Sequence, residues 1–148
     1  MSHTPVVLTI PARSDHLDIV RAALYAVASK AGFSFEEIED MKVAVTEACT
    51  NAILHAYRGF AEGVVQLSFL WDQRELHISV KDFGSSFEHK EEARGPLPVM
   101  GETPLSELAV GGLGIFMMQA LMDDVLVRTE NGTEVVLIKR MSRNEEMV

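Results

Sequence analysis

Two runs of alternating residues constrain this chain more than any other feature. Residues 64 to 71 carry Val65, Leu67, Phe69 and Trp71 on one parity, and after the turn Asp72-Gln-Arg-Glu75 a second run carries Leu76, Ile78 and Val80. Period-two alternation gives each strand one apolar and one polar face, and the short turn between them makes a hairpin. The apolar face must be covered, and the polar face is expected to lie exposed. The cover has to come from the segments on either side.

Upstream, Val6 to Ile10 reads as a short strand ended by Pro11. A helix is then expected from a cap at Ser14, with Leu17, Val20, Leu24 and Val27 on its apolar face and Gly32 at its end. Ser34, with Glu37 three residues on, forms a capping-box pattern for a second helix that runs to about Tyr57. Downstream, residues 85 to 110 dissolve into Glu, Lys, Gly and Pro, and a loop this long in a compact domain is either functional or disordered. Gly111-Gly-Leu-Gly114 then opens a helix through Ile115, Met118, Leu121 and Met122. Val125 to Thr129 and Thr133 to Arg140 form a last hairpin through Asn131-Gly132, and the charged tail from Ser142 to Val148 is expected to fray. The order strand, two helices, hairpin, loop, helix, hairpin reads as an α+β fold, a two-layer sandwich with a mixed, mostly antiparallel sheet and helices on one of its faces.

Size and composition agree with one domain over residues 1–148. A chain of 148 residues with 47% hydrophobic residues can bury a core without staples. Its single cysteine, Cys49, lies beside an apolar helix face and reads as a small buried hydrophobe. His3, His16, His77 and His89 lack metal-ligand spacing, so no zinc site is expected, and Trp71, Met117, Met118 and Met122 read as packing residues. With 13 basic against 22 acidic residues the net charge is -9, which argues against direct binding to nucleic acid, whose phosphates are held by Lys and Arg. The start of the chain lacks a secretory pattern and no segment has the roughly 18 apolar residues of a membrane span. A soluble cytoplasmic protein with no membrane contact is the expectation.

Three features carry possible chemistry. Glu47, Asn51 and His55 lie four residues apart within a helical pattern, so at about 100° per residue they share one narrow stripe beside the apolar stripe of Met41, Val45, Ala48, Ala52 and Ala56. Such a ridge forms the wall of a ligand site or a solvated helix face, and alone it leaves both readings open. Parity carries Asp82 inward from Leu76, Ile78 and Val80, just ahead of Gly84, and a buried carboxylate needs donors such as a purine amino group. A strand-end aspartate bonding its own backbone would place the same residue there. Gly111-Gly112-x-Gly114 lets backbone amides approach an anion at a helix start, or acts as a plain hinge.

In this order, a Glu/Asn helix, a buried Asp-x-Gly, a long loop, a glycine-led helix and Gly132-Thr133, the chain resembles the Bergerat-type ATP-binding fold of histidine kinases, gyrase and Hsp90. The segments Ile38 to Tyr57 and Gly111 to Asp124 are most similar to its bacterial anti-sigma serine kinases. The resemblance implies that Asn51 holds Mg²⁺, that Glu47 is the general base, and that Asp82 reads the adenine amino group of ATP with Gly84 permitting close approach and Thr133 in support. It further implies that Gly112 and Gly114 shape the phosphate end beneath a lid at about 85–110, that His55 is a phosphate contact or a packed helix histidine, and that Arg21 on the first helix holds protein partners. Those partners would be a sigma factor and an anti-anti-sigma protein phosphorylated on serine, with the kinase a homodimer. Ser86 stands where the wider superfamily often has a second glycine, which bears on the lid. A histidine-kinase catalytic domain is disfavoured by the lack of a phosphoacceptor pattern. A module that only binds ATP is the remaining alternative.

Overall fold

In the computed structural model, residues 4–56, 63–84, 109–129 and 131–142 are described, the side chains of 55, 56 and 109–113 excepted. The strands are β1 (Val6–Pro11), β2 (Val64–Trp71), β3 (Glu75–Asp82), β4 (Asp124–Thr129) and β5 (Thr133–Arg140). The helices are α1 (Leu17–Ala31), α2 (Phe35–Asn51) and α3 (Ala109–Leu121). The sheet order is β1-β2-β3-β5-β4 with every neighbouring pair antiparallel. This sharpens the mostly antiparallel expectation and keeps its α+β class.

Alternation decides the layers. Val65, Leu67, Phe69, Leu76, Ile78 and Val80 are all sealed from solvent, and they share one core with Leu17, Val20, Leu24 and Val27 of α1 and Ile38, Met41, Ala44, Val45 and Ala48 of α2. α2 packs against both α1 and α3 and also touches β3 and β5. The opposite sheet face, expected to be exposed, is half-buried at Gln66, Ser68, His77, Ser79 and Lys81. Polar neighbours cover one another there, as Ser79 Oγ donates to Glu134 Oε2 at 2.5 Å and His77 lies 2.7 Å from Glu75.

The boundaries follow local chemistry, with some departures. Gly32 closes α1 at φ 104°, a left-handed conformation that glycine adopts without strain. Ser34 and Glu37 form the reciprocal capping box, with Glu37 N–H donating to Ser34 Oγ at 3.1 Å and Ser34 N–H to Glu37 Oε1 at 2.8 Å. Ser14 does not cap α1. It lies inside a tight 3₁₀ turn, Ser14–His16, and neither Arg13 nor His16 makes a side-chain cap. β1 runs through Pro11, which an edge strand tolerates because one side of its ladder is unpaired.

α3 begins at Ala109, so residues 109 and 110 leave the expected lid, and its glycines lie inside the first turns. The rest of that lid, Tyr57 and the tail from 143 lie outside the described residues. Met118 and Met122 are buried and Trp71 packs partly against the core, as expected, whereas Met117 is 41% exposed because one helical step from Met118 swings it outward. Cys49 is fully buried, and burial pushes its thiol up to about 12.

Candidate nucleotide site

The stripe on α2 has two described members, Glu47 and Asn51. Both are half-buried, beside the buried Met41, Val45, Ala48 and Ala52 of the adjacent stripe. Helical geometry thus gives them a dry flank and an open flank. Immediately after Asn51 the helix widens into a π turn, Ala52–Ala56, which packs against β3. Such turns recur at functional sites. His55 lies on this turn, but its side chain is outside the described residues.

α3 meets this ridge through Gly114. A methyl group in place of the Gly114 hydrogen would lie 3.0 Å from Glu47 Oε1 and 3.1 Å from Asn51 Nδ2. The carboxylate and the amide therefore converge on one point of backbone. Gly112 is the fourth residue of α3, close to the helix end that attracts negative charge.

The other half of the site stands at the end of β3. Parity carries Asp82 inward, and it is 4% exposed, the one buried charged side chain among the described residues. Register places it opposite Thr133 of β5, whose backbone N–H donates to Asp82 Oδ1 at 3.3 Å. Desolvation pushes the Asp82 carboxyl up to about 6, with the Thr133 N–H and the Lys81 charge pulling the other way. A single long hydrogen bond leaves most of the acceptor capacity of this carboxylate unused by the described protein groups. Gly84 follows at φ 38°, again left-handed.

Gly132 makes the tight turn and has a further part in the approach of β5 to β3. At φ 110° it sits against β3 so closely that any side chain would collide with the Asp82 carbonyl oxygen and lie 2.9 Å from Phe83 Cα. The Asn131-Gly132 turn therefore sets the approach of Thr133 to Asp82. The Asn-Gly dipeptide announced the turn, but only the strand register shows what the turn faces. Nothing in the sequence singles out Thr46, yet its hydroxyl accepts from Arg21 Nη1 at 3.5 Å, which ties α1 to α2 one residue before Glu47. Arg21 is thus on the α1–α2 seam and not among the groups around Asp82.

The donor set suits magnesium only in part, which is how that ion is commonly held. No group of three His, Cys, Asp or Glu that could cage a metal occurs among the described residues. Mg²⁺ ordinarily takes one or two protein oxygens, with phosphates and water for the rest. The amide oxygen of Asn51 can be one such protein oxygen.

The chain matches the histidine kinase-like ATPase domain over residues 10–139. It is 42% identical over 138 residues to serine-protein kinase RsbW of Bacillus pumilus (strain SAFR-032), covering 92% of this chain and 85% of that protein. Serine-protein kinase RsbW of Listeria monocytogenes serovar 1/2a is 36% identical over 145 residues, 97% of this chain and 91% of the relative. The enzyme of the same name from Bacillus subtilis (strain 168) is 36% identical over 135 residues, 91% and 84%. Among solved structures, the RsbU and RsbW domains of a Mycobacterium tuberculosis protein align with a TM-score of 0.62 at 22% identity, over 93% of this chain and 32% of that longer one. That last likeness concerns the fold alone.

Proposed function

This chain belongs to the histidine kinase-like ATPase family, among its serine-protein kinase RsbW members, and from that premise we propose how its residues divide the work of a kinase. The activity is that of an ATP-dependent protein-serine kinase. As an anti-sigma factor, the protein sequesters an RNA polymerase sigma factor and phosphorylates a serine of an anti-anti-sigma protein.

The buried Asp82 carboxylate carries the assignment of the base end, because it is desolvated yet holds one protein hydrogen bond at 3.3 Å. The amino group of adenine supplies the donor it lacks. Thr133 holds the carboxylate from the opposite strand and its hydroxyl supports the base, while Gly84 lets the purine come close. At the other end, Gly112 near the start of α3 shapes the phosphate end, and His55, on the π turn after Asn51, is a candidate contact. Asn51 holds Mg²⁺ through its amide oxygen, and the ion when bound neutralises phosphate charge. Glu47 accepts the proton of the incoming serine hydroxyl, so that the oxygen attacks the terminal phosphorus of ATP as the bond to ADP breaks.

Arg21 presents a half-buried cation on α1 to protein partners, one turn before the exposed Tyr25. A homodimer is supported by the outer sheet face, where one cross-strand row runs Val7, Ser68, Ser79, Val136, Leu126 and leaves Val7 and Leu126 exposed at 52% and 45%. Among the described residues no helix is long and apolar enough to cross a membrane. We place the work of the protein in the cytoplasm, where sigma factors meet RNA polymerase. Incubation with ATP, Mg²⁺ and an anti-anti-sigma protein, followed by mass spectrometry of the product, tests the whole reading. Phosphoserine on the partner is expected, and transfer to histidine or to nothing refutes it.

A further inference from the structure

We infer that Gly114 is a positioning residue for the catalytic pair, acting as a spacer that seats the Glu47 carboxylate and the Asn51 amide. The inference rests on the roles proposed for Glu47 and Asn51 and separates Gly114 from Gly112, with which it shares a glycine-rich run.

The geometry is specific. The two atoms nearest to a methyl group at Gly114 are the ends of those two side chains, Glu47 Oε1 at 3.0 Å and Asn51 Nδ2 at 3.1 Å, followed by Asn51 Cγ at 3.8 Å. Gly114 is itself buried in the α2–α3 contact, and its bare Cα forms the floor on which both groups rest. Because the nitrogen end of the amide faces this floor, the oxygen is turned away from it, and oxygen is the atom a hard cation takes. A side chain here would not meet rigid backbone. It would meet the tips of two flexible side chains, which can shift by a few tenths of an ångström at little cost to the fold. The function of the site has no such latitude, since misplacing a reacting group by about 1 Å costs on the order of 100-fold in rate.

Gly114→Ala is therefore expected to keep the fold and to disturb the pair. Alanine is also the better helix former, so the melting temperature should not fall. With an anti-anti-sigma protein as substrate, kcat should drop about 10- to 100-fold, and any rise in KM for ATP through the displaced Asn51 should be smaller than the loss in kcat because Asp82 is untouched. Shortening the carboxylate removes one of the two tight contacts and leaves that with Asn51, so adding Gly114→Ala to Glu47→Asp should slow the reaction further by less than Gly114→Ala slows the wild type. A second readout needs neither nucleotide nor activity. The side-chain amide cross-peak of Asn51 in a ¹H–¹⁵N spectrum, identified by its loss in Asn51→Ser, should move in Gly114→Ala.

An unmoved Asn51 cross-peak, a kcat within threefold of wild type, full additivity in the double variant, or a rise in KM for ATP with kcat intact would each overturn the assignment. If the wild-type protein transfers no phosphate to serine and the cross-peak still moves, the spacer role stands and the kinase reading falls.

Discussion

The two ends of the proposed nucleotide site are built by different means. The base end is made by strand register: Asp82 and Thr133 face each other because β3 and β5 pair, and Gly132 presses the turn onto the Asp82 backbone. The phosphate end is made by helix packing: Glu47 and Asn51 stand on α2, and Gly114 of α3 closes upon their tips. In the first case backbone meets backbone, and in the second backbone meets flexible side-chain ends. Disturbing the base end should therefore cost stability and binding together, whereas disturbing the phosphate end should cost rate and spare the fold.

The largest expected effect breaks the phosphate end alone. Glu47→Gln keeps size and shape but removes the acceptor of the serine proton, so kcat for phosphotransfer should fall by about 10²–10⁴. ATP binding and capture of the sigma factor should persist, because neither needs a proton abstracted. Such a protein would be an anti-sigma factor that cannot inactivate its antagonist. A paired assay of serine phosphorylation and sigma pull-down decides it. Near-wild-type transfer removes the base assignment, and joint loss of both activities would make Glu47 a structural residue.

The mirror experiment is Gly132→Ala. Its φ of 110° disfavours any side chain, and the added methyl would collide with the Asp82 carbonyl. Strain of this kind costs about 1–3 kcal/mol, so the denaturation midpoint should fall together with ATP affinity. Gly114→Ala, by contrast, should leave the midpoint in place. Equal behaviour of the two alanine variants would erase the distinction between register and packing.

A milder change isolates the base-end carboxylate. Asp82→Ala removes a hydrogen-bonding acceptor from a buried site, a loss of about 1–3 kcal/mol in binding and more where charge takes part. Calorimetry should show ATP affinity reduced at least about tenfold, with the far-ultraviolet spectrum unchanged. Unaltered affinity would sink the adenine assignment.

What the sequence made legible, and what it left hidden, follows from the range of the interactions involved. Asp82 could be placed inside because period two propagates reliably from Leu76, Ile78 and Val80. Gly32, Ser34 with Glu37, and Asn131-Gly132 could be placed because caps and tight turns are local. Ser14 could not, since a 3₁₀ turn and a helix start share the same residue preferences. The π turn after Asn51 has no signal in Ala-Ile-Leu-His-Ala. The Arg21–Thr46 bond and the seat of Gly114 depend on how helices distant in sequence meet, and residue periodicity gives each helix a face but not the partner of each residue on it. The exposed Met117 beside the buried Met118 shows the same limit within one helix.

The smallest effect concerns pH, and its sign follows from the burial of Asp82. Its folded-state carboxyl is raised to about 6 against an ordinary 3.8, chiefly by desolvation. Between those values the nucleotide-free folded protein holds a proton that the unfolded chain has released, so this group favours the folded state most below pH 4. That contribution is lost as pH rises through about 6, and amounts to about 3 kcal/mol over the window. Asp82→Asn should abolish this slope and make the nucleotide-free protein more stable near pH 7 while weakening its hold on ATP. If Asp82 reads the base as proposed, binding runs the opposite way, because the ionised carboxylate is the stronger acceptor for the adenine amino group. From pH 7 to pH 5 the population of that form falls about tenfold, and ATP affinity should fall by a similar factor. Since ATP has titrating phosphates of its own, the measurement is the ratio of wild-type to Asp82→Asn affinity across the range. A ratio that does not change between pH 7 and pH 5 would mean that the carboxylate is not the group that reads the base.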